Sequence, residues 1–406
     1  MTKKRFLIAK IVLFVVAAVL SSVALSYDGV AEAKGEGSES YEEVKDQLDS
    51  NTQNRIDKLD TDVFEDFLTS LDDDQKKAIG FQDLKEFMRG LTEGKTDNFF
   101  ENFVNALLKS LGKYFAGFLP AVLTIVAVSL LKSMLAGMTS SFQRTGTTEI
   151  VHVVCYGVVV VVLSSSVVSV VKTTASTIYG MTTFAEGVFP VLLTLLAGLG
   201  GATGVATYQP MMAVLGGGVM SIVSKVILPA FVACVVFAVV GNLSKNVKLT
   251  KMNKMLKSVS SWLIGIVFGL YGTFLTVGGI SGGVIDKVGY NAAKFALSSY
   301  VPILGGYLSD GFDLISASIV LVKNAFGYTA VIVLVGVVLF PILKIVIFTL
   351  SLRLASAIVE PIGDDRVSSV LTSVADNTSL LLSAIAGVGF MFFVLIMLII
   401  GSFNLV

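Results

Sequence analysis

Charge is what this chain has least of. Asp, Glu, Lys and Arg make up 15% of its 406 residues and hydrophobic side chains 54%, with a mean hydropathy of +0.81. A soluble domain carries roughly 25% charge, so a water-soluble globular fold is excluded. Histidine occurs once and cysteine twice, too few for an ordinary zinc site or a disulfide framework. No P-loop, histidine-rich metal tract or glycine fingerprint after a strand is present. Most metal, hydrolase and nucleotide chemistry falls away, and neither a cofactor nor a nucleic-acid partner is expected. His152 and Cys155 lie within one helical turn, but the only nearby acid is Glu149 at the segment's edge. A thiol nucleophile needs an oriented base, and no catalytic residue is assigned.

The charge that is present is unevenly placed. Residues 34–113 hold 19 acidic and 11 basic side chains; residues 114–406 hold 9 and 15. This splits the chain into a polar, acidic head and a slightly basic membrane body. Ahead of both, Lys3, Lys4 and Arg5 precede an apolar stretch from Phe6 to Leu25, and Ala31-Glu32-Ala33 is a small-x-small pattern. Residues 1–33 therefore read as a signal sequence cleaved after Ala33, with an uncleaved anchor as the alternative. Either way residues 34–113 are exported.

Within the head, residues 34–55 are polar and read as a flexible lead-in. Val63, Phe64, Phe67, Leu68 and Leu71 then repeat at helical spacing behind Asp60 or Thr61 as cap. Phe81, Leu84, Phe87, Met88 and Leu91 form a second helix, ended by Gly90 or Gly94. Asp72-Asp73-Asp74 lacks the glycine and distal glutamate of a calcium loop and reads as a solvated helix turn. Phe99, Phe103, Leu107, Leu111, Phe115 and Phe118 make an i, i+4 stripe, fitting either an interfacial helix or the lead-in to the first span.

The body, from residue 114, is built on charge-free runs: Ile150–Val171, Gly187–Ser224, Ser258–Ile285 and Asn377–Val406, with shorter ones at Tyr114–Leu131, Val226–Ser244 and Asn324–Leu343. A spanning helix needs about 20 apolar residues, which gives about six crossings in an all-α fold. Pro190 and Pro229 are 39 residues apart, as are Pro302 and Pro341, with similar flanks. This pattern marks an internal repeat, over 184–295 and 296–406, after a first transmembrane hairpin at 114–183. The Gly187–Ser224 run would be roughly 57 Å long as one helix, against a hydrocarbon core of about 30 Å. Gly198 through Gly204, including Gly200 and Gly201, followed by Tyr208-Gln209-Pro210, is breaker chemistry. The second copy breaks at Gly305-Gly306 through Asp310-Gly311 and adds Asp313. The expectation is thus six spanning helices plus two broken or re-entrant hairpins in a parallel repeat.

Charge placement supports this parity. Lys245, Lys248, Lys251, Lys254 and Lys257 mark a cytoplasmic loop, as do Arg353 and Arg366. They share one side only if each broken segment returns to the side it left. Paired broken segments point to a binding or conduction site, so Pro190, Gly200, Gly201, Gly204, Pro210, Pro302, Asp310, Gly311 and Asp313 are candidate pathway residues. Asp310 and Asp313 either line such a pathway or sit at the outer surface. The lysine loop either enforces topology or binds anionic lipid or a cytoplasmic partner.

Phe-Ala-Glu-Gly-Val-Phe-Pro-Val-Leu (184–192), Tyr-Gln-Pro (208–210) and Val-Glu-Pro-Ile-Gly-Asp-Asp-Arg (359–366) resemble the stage III sporulation AE family, across essentially the whole chain. The resemblance implies a multi-pass protein of the mother-cell membrane around the forespore. It implies sibling stage III proteins, a secretion-type ATPase, ring-forming proteins and stage II sporulation protein Q as partners. It also implies a secretion-like channel needed for late forespore gene expression under sigma-G. Glu360, Asp364, Asp365 and Arg366 join the lysines as candidate cytoplasmic docking residues. An autonomous small-molecule permease with its site between the hairpins, and a pure membrane scaffold, are the other readings.

Overall fold

The computed structural model describes residues 39–80, 83–93, 99–140, 145–243, 249–300, 305–362 and 364–402, and these contain helices and no strands. The signal-like segment with Ala33, Pro302, Lys245 and Lys248 lie outside the described residues. Four short helices form the head: α1 (Glu39–Asp57), α2 (Asp62–Thr69), α3 (Asp73–Ile79) and α4 (Leu84–Glu93). The body follows as α5 (Phe99–Ser140), α6 (Thr145–Gly198), α7 (Ala202–Leu243), α8 (Thr250–Tyr300), α9 (Gly305–Val359), α10 (Asp365–Asn377) and α11 (Ser379–Gly401). Six segments are long and apolar enough to cross a membrane: Glu101–Leu135, Val153–Gly198, Ala202–Leu243, Thr250–Gly279, Gly311–Ile362 and Asp365–Gly401. The chain is an all-α, multi-pass membrane protein.

The head departs from the sequence reading at its start. Residues 39–57 are helical, because Leu48, Thr52 and Ile56 fall on one stripe, and Thr52 and Ile56 bury themselves. Arg55 Nε also donates to Ser318 Oγ at 3.1 Å. Thr61 precedes α2 as expected, and Asp72 caps α3 through a capping box with Gln75. Gly90 lies inside α4. The Phe99–Phe118 stripe belongs to a single 42-residue helix, the lead-in to the first span.

A larger departure concerns the broken segments. The two arms expected to form a short re-entrant hairpin are continuous with their neighbours. The first runs on from the second predicted span as the 54-residue α6, and the second runs on into Leu243 as α7. At 1.5 Å per residue, α6 is about 81 Å long. The polar stretch after Val171 does not stop the helix because its hydroxyls bond back to helical carbonyls: Thr173 to Ser169 O, Thr174 to Val170 O, Thr177 to Thr173 O and Thr182 to Ile178 O. Pro190 and Pro210 sit within α6 and α7 as Pro120 and Pro341 do within α5 and α9; helices packed among helices tolerate proline. The 55-residue α9 likewise begins at Gly305, so Asp310, Gly311 and Asp313 lie in its first turns. The body instead carries two long helical hairpins, α6–α7 and α8–α9, whose tips share one end.

The head packs on this body through aromatic side chains. Phe64 meets Phe326 and Phe184 edge-on, with centroids 5.5 and 6.0 Å apart, and Phe67 meets Phe184 at 5.7 Å. Gly187 makes room for α2: a methyl there would lie 2.9 Å from Phe64 Cα.

Candidate functional site

The chemistry of this molecule concentrates at the two ends of α7, which are about 63 Å apart along its 42 residues. At the tip end, α6 closes with a Schellman turn: Gly201 N donates to Leu196 O at 3.0 Å and Gly200 N to Ala197 O at 2.9 Å. Gly200 takes φ +82°, a conformation that favours glycine. α7 then starts without a side-chain cap of its own. Its cap comes from α8, where the buried Asp286 carboxylate accepts from Thr203 N (3.0 Å) and Gly204 N (2.6 Å). Gly204 is needed for that approach, since a Cβ would stand 2.8 Å from Asp286 Oδ2.

One turn along α8, Tyr290 donates to Asp313 Oδ1 at 3.1 Å and stacks on Phe312 (centroids 5.2 Å apart), while Lys294 pairs with Asp313 Oδ2 at 2.6 Å. Tyr290 lies past Ile285, where the charge-free run of α8 ends, and burial holds its phenol above the ordinary range. Asp286, Tyr290 and Lys294 follow at i, i+4 and i+8, so one face of α8 ties α7 to α9. Deeper in, the fully buried Lys323 of α9 donates from Nζ to Ile400 O (3.0 Å) and to Ser402 O, and Tyr208 OH donates to Leu398 O (3.3 Å). A buried amine thus donates to the carbonyl end of α11.

The other end gathers the ends of α5, α7, α8, α9 and α10. Asp364 caps α10 through Val367 N and pairs with Lys132; Ser133 donates to Ile362 O at 3.0 Å. Arg366 donates to Leu243 O at 3.1 Å, Arg353 pairs with Asp376 at 2.8 Å, and Lys257 donates to Asp376 O. Lys251, Lys254, Glu360 and Asp365 are exposed.

The predicted residues therefore sort by role. Gly200, Gly201 and Gly204 form the α6–α7 tip. Pro190 and Pro210 lie inside the adjoining helices. Asp313 is tied to Lys294 and Tyr290, with about two-fifths of each charged side chain exposed. Of the docking set, Asp364, Arg366 and Lys257 hold helix ends together. Asp286 and Lys323 carry the tip and escape a sequence reading; a lone acid just beyond the charge-free Ser258–Ile285 run was the available signal for the first. No cluster of metal-binding side chains occurs among the described residues.

Residues 82–402 match the family described as stage III sporulation protein AE. The chain belongs to the stage III sporulation protein AE family. Among curated proteins it is 24% identical, over 282 residues, to stage III sporulation protein AE of Bacillus subtilis (strain 168), covering 70% of this chain and 71% of that one. No solved structure matches it. Family membership, with six spanning-capable helices, makes this a multi-pass membrane protein with a role in sporulation.

Proposed function

We propose that this protein is a non-enzymatic membrane component of a secretion-like channel complex between mother cell and forespore, required for late forespore gene expression under sigma-G. Membership of the stage III sporulation protein AE family is the observation that carries the reading. The architecture supports it. A polar head locked to the body by Phe64 and Phe67 suits contact with ring-forming proteins and the stage II sporulation protein Q complex in the space outside the mother-cell membrane. Exposed Lys251 and Lys254 at the far end suit contact with anionic lipid or a secretion-type ATPase. Asp313, on which an autonomous permease would lean, is engaged by Lys294 and Tyr290, and no observation favours that alternative.

Purification in mild detergent from sporulating cells, followed by mass spectrometry, tests the reading. Co-purification of the ATPase and ring-forming partners in a fixed ratio is expected. A stable, homogeneous chain recovered alone would overturn it.

A further inference from the structure

We propose that α7 is a jointed helix, bending at Val214–Ile227 so that its two anchored arms move relative to each other. The hydrogen-bond ladder slips there from α to π spacing twice, over Val214–Val219 and Val223–Ile227, with three α-helical residues between. π turns inside α-helices concentrate at functional positions. The first contains Gly216-Gly217-Gly218, and Pro229, which lacks an N–H to donate, follows the second.

Packing does not account for these glycines. A methyl group at Gly216 or Gly217 would meet no heavy atom within 4 Å, and at Gly218 only Val214 Cγ1 at 3.9 Å. Some glycines of the body are needed for space, since a Cβ would stand 2.0 Å from Met211 Cε at Gly278 and 1.7 Å from Phe268 Cε2 at Gly387; others, such as Gly157 and Gly265, stand in open space as these three do, but singly and within regular α-helix. Three consecutive glycines weaken a helix relative to alanine. With no close neighbour requiring them, what they supply is backbone freedom.

The arms on either side are pinned. Asp286 holds Thr203 and Gly204, Tyr208 holds Leu398 O, and the buried Tyr271 donates to Met211 O at 3.0 Å, immediately ahead of the first π turn. Below the joint, Tyr156 donates to Val239 O at 2.6 Å and Arg366 to Leu243 O. Between Val214 and Ile227 the side-chain hydrogen bond present, from Ser224 to Met220 O, stays within the helix. The joint otherwise meets its neighbours through buried apolar side chains, Leu215, Val219, Met220, Val223 and Ile227, whose contacts are non-directional and allow sliding. Its movement would couple the tip cluster to the opposite end.

The test pairs spectroscopy with spore counts. Spin labels go on the exposed positions 206 and 236 as Ala206→Cys and Val236→Cys, in the full chain carrying Cys155→Ala and Cys234→Ala. The labelled positions are about 45 Å apart on a straight helix. Double electron–electron resonance should give a broad or two-component distance distribution in the chain with its glycines. It should narrow to one component on adding Gly216→Ala, Gly217→Ala and Gly218→Ala, substitutions that fit the space. The triple variant without labels, in the organism that encodes the protein, should accumulate normally yet lower heat-resistant spore counts at least tenfold. A single narrow distribution in the glycine-containing chain overturns the proposal. So do normal spore counts in the triple variant. A fall in spore counts with an unchanged distance distribution also overturns it, in favour of a partner packed against the glycine face.

Discussion

Asp286 and Lys323 do similar work at opposite helix polarities. Asp286 supplies acceptors to the amide end of α7, and Lys323 supplies donors to the carbonyl end of α11. Removing a capping oxygen costs about 1–2 kcal/mol. Asp286→Ala should therefore lower the thermal midpoint of the detergent-solubilised protein, and Asp286→Asn, which keeps one acceptor, should lose less; fluorescence-monitored melting reads both. Lys323→Met should act more locally, because relieving the burial of a polar amine offsets part of the lost bonding. Hydrogen exchange at Leu398–Gly401 is expected to rise about tenfold, equivalent to about 1.4 kcal/mol, with a smaller change in the global midpoint. Neither role was legible in the sequence. A lone acid or lysine near an apolar run acquires its function only from a helix end supplied by another part of the chain. Gly200, by contrast, was legible, because the requirement it meets is local to its own turn.

Among the elements, the helices were legible and their lengths were not. Runs of apolar residues identify where a helix can span, but Thr173, Thr174 and Thr177 look like a loop until their hydroxyls are seen bonded to the preceding turn. For α1 the same limit applies, since Arg55 finds its partner, Ser318, on α9 rather than nearby in sequence. All four head helices pack against the body, and Phe64 and Phe67 make the aromatic contacts of α2. Phe64→Ala should cost about 3–5 kcal/mol of local packing and loosen α2 from α6 and α9. Limited proteolysis would then cleave near residues 58–61 at rates well above wild type, while the body fragment stays intact. Gly187→Leu, which forces α2 away from α6, should give the same cleavage pattern; protection of the head in both variants would contradict this docking.

At the scale of the whole molecule, α6 and α9 are each about 80 Å long, well beyond a hydrocarbon core of about 30 Å, so the helical body projects past the bilayer. The parity expected from the lysine loop agrees with the hairpin ends, for Arg366 and Leu243 meet at the end opposite the tips. In a chain with Cys155 and Cys234 replaced by Ala and produced in non-sporulating cells, Asp62→Cys should react with a membrane-impermeant maleimide on intact protoplasts. Lys251→Cys should react only after permeabilisation. Equal labelling of both would refute the two-sided arrangement.

The trans cap on α7 sets an order of assembly. The amides of Thr203 and Gly204 leave the ribosome more than 80 residues before the carboxylate that receives them, so the first hairpin enters the membrane with its turn unsecured. Its position becomes fixed only when the second hairpin arrives alongside. A chain interrupted anywhere before Asp286 should thus present an inserted but unfastened hairpin to the quality-control proteases, and the time needed to translate α8 is the window in which they can act.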